Sequence, residues 1–532
     1  SPKFHMKIGA YRSLFGKHCI MCTRNDDMSV EWTKMIKLAI TVPFLLAVSA
    51  YGQSKEDRFA LVNLGSVHVP GGVEIVSYDP FTENLYAIGS SGWMVFEFDE
   101  LNRFSILHSG IFSSTDNWQA TSIATDPLGR GFVACSWIPD PTDRVPGVVQ
   151  IIDTTDNKVV WQFSAGYHPD CIAFSPDGRY LIAANECEPG VEDRPGGISL
   201  IDISNIEEPS DFGGFNDVQT FGFTDEYLHE SVNLDVLRIT PSLRSTPEID
   251  IEPEYLAPTN SGVWVGLQEN NGLAYFDFTL LQWTKVKSLG TLSIAFDSND
   301  TDGLNISTRD GFGLLPQPDT IAITRINDRE YIVLANEGEK ADADTIRFGD
   351  AVDAGLIDPH TIERLNDVYP GDGFSDLRRL WISTIDGDLD DDGDIDMPTV
   401  LGGRSISILD ADTGSLVWNS GSQMERISAA RWPKQYNSDD SRSDRSGPEP
   451  EGIAIGKIGN QTFAFVGLER SDVVFMYDIS DPISPVFLDA QSLDVACQRP
   501  EGLTFFSLFD RHFLAVASEK GGCLTIFEVR AQ

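Results

Sequence analysis

Asp170, Glu254, Asp319, Glu451 and Glu501 each follow a proline, and each is answered after two apolar runs by a second acid, Glu186, Glu269, Glu337, Glu469 and Glu519. Carboxylates are hard oxygen ligands, and ten of them meeting on one face cannot all stay ionised without counter-charge, so the pattern predicts cation binding. A second set is denser. In DLDDDGDID, Asp388, Asp390 and Asp392 take positions 1, 3 and 5 of a calcium-type loop, with Gly393 at 6, Asp396 at 9 and Asp394 offering its carbonyl. All-oxygen ligation makes Ca2+ the expected occupant. Thr399 stands at position 12, where a bidentate Glu would close the shell, so another residue must complete it or affinity falls. A third stretch, NSDDSRSDRSGPEPEG, puts Arg442 and Arg445 just ahead of Glu451. Guanidinium forks beside a cation-rich mouth suit a phosphate or carbonate oxyanion, and they equally suit a plain balancing of Asp439, Asp440 and Asp444. If bound ions activated water, Glu451 and Arg442 would be the candidate catalytic pair. No HExxH, GxSxG, P-loop or dinucleotide fingerprint is apparent in the propeller region.

The acids must be positioned by the units that carry them, which read HPDCIAFSPDGRYLIAANE, EPEYLAPTNSGVWVGLQE, QPDTIAITRINDREYIVLANE, EPEGIAIGKIGNQTFAFVGLE and RPEGLTFFSLFDRHFLAVASE. Each is two short β-branched and aromatic runs around a turn, followed by a third run such as GGRSISILDAD and often a fourth such as SPVFLDAQ. Four short antiparallel strands per repeat describe a propeller blade. Degenerate copies from Gly71 and Ala120 extend the series, so first-strand markers fall at Glu74, Ser122, Asp170, Glu254, Asp319, Glu451 and Glu501. The expected fold is therefore all-β, a seven-bladed β-propeller over 58–532, closed by the N-terminal strand FALVNLGSVHV, with loop insertions. The largest insertion, 338–403, carries the acidic loop and a short helix near His360 to Val368; smaller ones lie near 206–250 and 291–315. Ser122 replaces the acid in blade two, so the site should lie towards blades three to seven.

With 81 acidic against 39 basic residues and a net charge of −42, the chain would repel nucleic acid and anionic membranes. Residues 35–50, with Lys37 before an apolar run and small residues at the end, read as a secretory signal peptide, too short to span a membrane. Residues 1–34 read as an upstream segment outside the native fold. An extracellular setting permits disulfides, and Cys171 with Cys187 or Cys497 with Cys523 are the candidates, leaving Cys135 free. Asn299, Asn305 and Asn460 stand in glycosylation sequons.

Taken together, GGVEIVSYDP, PDCIAFSPDGRYLIAANECEP, FDSNDTDGLNI, GDLDDDGDID with GGRSISI, RSDRSGPEPEGIAIG and FVGLERSDVVFMYDISDP resemble the choice-of-anchor I family of secreted β-propellers. That family includes mesenchyme-specific cell-surface glycoproteins and bacterial atypical alkaline phosphatase-like proteins. The resemblance implies a calcium-associated extracellular glycoprotein linked in animals to biomineralisation, and in bacteria to phosphoester hydrolysis. The leading expectation is thus a secreted acidic propeller that binds calcium or a mineral surface, with extracellular matrix partners. A metal-dependent phosphoric ester hydrolase, and a protein- or ligand-binding propeller without metal chemistry, are the alternatives.

Overall fold

The second strand of each repeat is apolar on both faces, as in Tyr180–Asn185, Gly262–Leu267 and Gln461–Leu468, where nearly every residue is buried. A strand that is apolar on both faces must be covered on both, which a single sheet in water cannot provide but a sheet stacked between two others can. The computed structural model describes residues 58–532 except 70–71, 90–91, 100–102, 113–117, 140–144, 187–193, 215–216, 339–343 and 370–373. The upstream segment, the signal peptide and Cys187 lie outside the described residues.

Within them, seven antiparallel sheets of four strands form, each running innermost to outermost in chain order except the last. Blade three, for example, comprises Pro169–Phe174, Tyr180–Asn185, Gly197–Asp202 and Val218–Gly222. The last blade takes Gln498–Leu508, Arg511–Lys520 and Cys523–Ala531 from the C-terminus, and its outermost strand, Phe59–His68, from the N-terminal side. Closure is visible in the packing. Seven apolar clusters each join two adjacent blades, including blades seven and one through Phe513, Ile526, Leu85 and Phe96, and blades six and seven through Phe59, Phe465 and Phe527. A disulfide joins Cys497 to Cys523 within the last blade, while Cys135 is buried without one.

The main insertion lies between Arg329–Asn336 and Ser405–Asp410 of blade five and shares an apolar cluster with the 291–315 segment, Phe348, Leu365 and Ile382 packing with Phe296 and Phe312. Its second helix spans Pro359–Val368, with Asp358 at its start accepting the Thr361 amide. The sequence did not foretell the helices Phe348–Ala354 and Gln423–Arg431, which are short and weakly patterned. Of the sequons, Asn460 lies in an exposed turn, whereas Asn299 is only 5% exposed, with its amide oxygen held by Thr301.

Removing Phe59–His68 would uncover the edge of Cys523–Ala531 and strip Phe59 and Leu61 from the last inter-blade cluster. We expect the truncated protein to self-associate and unfold at lower temperature. A monomer of unchanged melting temperature by light scattering and calorimetry would contradict the closure.

Candidate functional site

Four of the seven first strands open with the same backbone device. In blades three, five, six and seven the pairing shifts register immediately after the proline, between Pro169 and Ile172, Pro318 and Ile321, Pro450 and Ile453, and Pro500 and Leu503. The extra residue is a β-bulge, which bends the strand and re-aims a side chain. The bulged residues are the acids Asp170, Asp319, Glu451 and Glu501. The residue ahead of each proline, His168, Gln317, Glu449 or Arg499, holds a left-handed backbone with φ between 43° and 60°. Its successor's ring disfavours the ordinary helical region there, so the chain turns sharply into the strand.

The bulges deliver the acids to the channel. Asp170, Glu186, Glu254, Asp319 and Glu501 line one cavity of about 310 Å³ together with Ser122, Gln268 and Tyr255. Beside it, Asp319, Glu337 and Glu451 offer carboxylate oxygens that lie within 4.8 Å of one another, as do those of Glu337, Glu449 and Glu469. Glu337 belongs to both groups and accepts a 2.8 Å hydrogen bond from Gln268. A third group joins His168, Asp170 and Glu186, with the imidazole Nδ1 3.1 Å from Glu186. Glu519 is half exposed, paired with Arg499 at 3.0 Å, and acts on the Glu501 carboxyl from the edge of the group.

Counter-charge is unevenly distributed. Arg470 bridges Glu449 and Glu469 at 2.5 Å each, Arg442 lies 3.2 Å from Glu449, and Arg499 reaches Glu469 at 3.5 Å. Among the described residues no such arginine bridge reaches Glu254, Glu269, Asp319 or Glu451. One oxygen of each of Glu254, Glu269 and Glu451 is buried without a hydrogen-bond partner, and Glu254 is only 6% exposed. Burial, then the facing acids, push Glu254, Glu451 and Glu501 well above the usual carboxylate range. Glu254 is raised by burial and by Glu269 and Glu186, Glu451 by burial and by Glu337 and Glu469, and Glu501 by burial and by Glu74. Asp319, pushed up by burial and Asp170, titrates at about 8, and Glu469, pushed up by burial and Glu449, also at about 8. A divalent ion replacing those protons would hold the oxygens together; without one the carboxyls must stay largely protonated.

The acidic loop gathers a second set. Asp388, Asp390 and Asp396 bring oxygens within 4.8 Å of one another, and Asp396 also joins Asp394 and Asp358. Gly393 turns the loop at φ 99° and donates its amide to Asp388. Asp394 joins through its side chain rather than the carbonyl the spacing suggested, and Asp392 falls outside both groups, accepting the Asp394 amide at 3.2 Å. Asp392 raises the Asp390 carboxyl above its ordinary range. Sequence reasoning missed three residues. Asp358, an Asp-Pro helix start, comes to the loop from outside it. His168 and Glu449 stand at the position before the proline in the repeat, where a recurring polar residue was the available signal.

A family model for the choice-of-anchor I domain matches residues 74–482. Gigasin-3a of Magallana gigas is 34% identical over 125 residues, which is 21% of this chain, and the chain spans 44% of that relative's length. Among solved structures, the β-propeller domain of Myceliophteria thermophila Cps50 (Swd1) aligns over 88% of this chain and all of its own, at 8% identity and a TM-score of 0.46. Kuenenia stuttgartiensis hydrazine synthase aligns over 91% of this chain and all of its own, at 12% identity and 0.47. At those scores the fold rests on the seven sheets themselves.

The pH dependence follows from the raised carboxyls. Between about 4 and 8 the folded, ion-free protein keeps protons that the unfolded chain has released, so its stability should fall as pH rises through that window. Calcium should flatten the slope. Melting curves from pH 4 to 9 with and without calcium test this, and a slope untouched by calcium would exclude ions from the mouth. Glu254→Gln, which removes a buried ionisable group but keeps its shape, should raise the ion-free melting temperature at pH 9.

Proposed function

Because the chain belongs to the choice-of-anchor I domain family, we propose that it works outside the cell as an acidic propeller that binds calcium at its channel mouth. The observation that carries this is the pairing of a buried, unpartnered Glu254 oxygen with the three-carboxylate group of Asp319, Glu337 and Glu451, in a mouth where, among the described residues, no arginine bridge reaches Glu254, Asp319 or Glu451. Hard oxygens at that density suit calcium better than softer metals, and the ligands come from the shared wall of several blades. Asp388, Asp390 and Asp396, with Asp358 and Asp394, form a peripheral calcium loop that stiffens the insertion. The strong negative charge, the absence among the described residues of any helix long and apolar enough to cross a membrane, and the apolar leader are consistent with an extracellular matrix or mineral-facing role.

A metal-dependent phosphoesterase is the second reading, favoured by Glu337, which is common to two three-carboxylate groups as a bridging ligand between two ions would be. Arg442, its candidate anion-binding residue, is already engaged by Glu449, as is Arg470, so the forks that would steady a phosphoryl group face carboxylates instead. This makes binding the stronger reading.

Calorimetric titration of the mature protein with calcium should show at least two classes of site. Glu451→Gln should weaken the mouth site by tenfold or more, about 1.4 kcal/mol, and leave the loop site intact, whereas Asp396→Asn should do the reverse. Absence of calcium binding in the wild type would refute the proposal. Calcium-dependent turnover of an aryl phosphate that Glu451→Gln abolishes would replace it with the phosphoesterase.

A further inference from the structure

Just before the strand Ser405–Asp410, two fully buried acidic residues, Asp297 and Glu425, meet one guanidinium, Glu425 through its carboxylate and Asp297 through its backbone carbonyl. Asp297 and Glu425 are both 0% exposed, and Arg404, also 0% exposed, donates from Nη1 to the Glu425 carboxylate at 3.0 Å and to the Asp297 carbonyl. Arg404 Nη2 donates to the carbonyls of Ser443 and Arg445, and its Nε is buried without a hydrogen-bond partner. Two neighbours tie the carboxylates together: Tyr436 donates to Asp297 Oδ2 at 3.2 Å, and Asn437 Nδ2 donates to Glu425 Oε1 at 3.3 Å. What remains is a set of buried oxygens with no hydrogen-bond partner: Asp297 Oδ1, Glu425 Oε2, the Asn437 amide oxygen and the Ser298 hydroxyl. All four residues are at most 0% exposed.

The geometry points to a buried site for one hard monovalent cation of the sodium class, held by Asp297, Glu425 and Asn437 and independent of the channel mouth. Charge chooses the class. Asp297 and Glu425 against the Arg404 guanidinium leave a single fully buried negative charge, which one monovalent ion cancels and a divalent ion would overshoot; Asp440, which also acts on Asp297, is partly exposed and screened by water. A proton on either acid would also cancel the charge, but it would leave the remaining oxygens without donors; water would serve the oxygens but not the charge. Burial, the largest cause in each case, raises both carboxyls above their ordinary range, in keeping with a missing counter-charge. The site has a structural task. Asn437, Ser438, Asp439 and Asp440 all hold left-handed backbones, with φ from 44° to 72°. Such conformations persist only where surrounding contacts over-determine them. The same segment leads through Arg442 to Glu449 and Glu451, so an ion on Asn437 would fix the approach to the mouth.

The test uses the whole secreted chain in excess EDTA, which removes divalent ions from the mouth and the acidic loop and so separates this inference from the calcium proposal. In sodium chloride the melting temperature should lie about 2–5 °C above that in choline chloride of equal ionic strength. Trypsin cleavage after Arg442 and Arg445 should be several-fold slower in sodium. Asp297→Asn with Glu425→Gln should erase both differences, and if that variant fails to fold, the wild-type proteolysis decides. Equal melting and equal cleavage in the two salts would overturn the assignment, as would a sodium effect that survives in the double variant. Loss of one calcium equivalent from Asp297→Asn, measured without EDTA, would overturn it in favour of a divalent ion.

Discussion

Like-charge repulsion at the channel mouth is the constraint to which the rest of the molecule answers. At separations within 4.8 Å, each ionised pair costs on the order of 3 kcal/mol at an effective dielectric of about 20. Several such pairs would rival the net stability of a domain, so the folded state needs protons, cations or arginines at the mouth. Burial sharpens the demand, because oxygens such as those of Glu254 and Glu451 have lost water without gaining a donor.

Covalent and packing features keep the acids from escaping one another. A bulge after Pro169, Pro318, Pro450 and Pro500 turns the following acid inward, and the neighbouring blades press the second strands from both sides. The ring cannot relax by opening at one seam, since Phe59–His68 pairs with Cys523–Ala531 and the Cys497–Cys523 disulfide ties the same blade. A cyclic array in which every interface is closed distributes local repulsion over all its seams, whereas an open one would part at its weakest. The fold therefore holds these acids together against their mutual repulsion.

Much of this was legible because the repeat is written in residue types with one physical meaning each. Proline followed by an acid, two β-branched runs and a closing Glu gave the blade count, the closure by FALVNLGSVHV and the convergence of Asp170, Glu254, Asp319, Glu451 and Glu501. The bulge was not legible, because it depends on pairing register rather than composition. His168 and Glu449 were missed for the same reason: only the left-handed turn they adopt brings them beside the acids that follow. The spacing of the acidic loop does bring Asp388, Asp390 and Asp396 together, but the calcium-loop spacing rule assumes a helix on each side. Here the loop returns to a short strand, so Asp392 turns away and Asp358 arrives from a helix some thirty residues earlier.

The uneven placement of arginine decides how the mouth divides its labour. On the side of blades six and seven, Arg442, Arg470 and Arg499 neutralise Glu449, Glu469 and Glu519 with permanent charges that no change of pH or ion concentration removes. On the side of blades three to five the equivalent acids face one another, and Gln268 and Thr320 supply neutral donors in place of guanidinium. A neutral donor orients a carboxylate without discharging it. One half of the ring thus sets guanidinium groups against its acids, and the other half, among the described residues, sets neutral donors against them. Glu337 sits at the border, sharing oxygens with Asp319 and Glu451 on the open side and with Glu449 and Glu469 on the arginine side. An ion bound by Asp319, Glu337 and Glu451 would draw Glu337 away from the arginine-held pair, so occupancy on the open side is felt on the closed one through a single carboxylate.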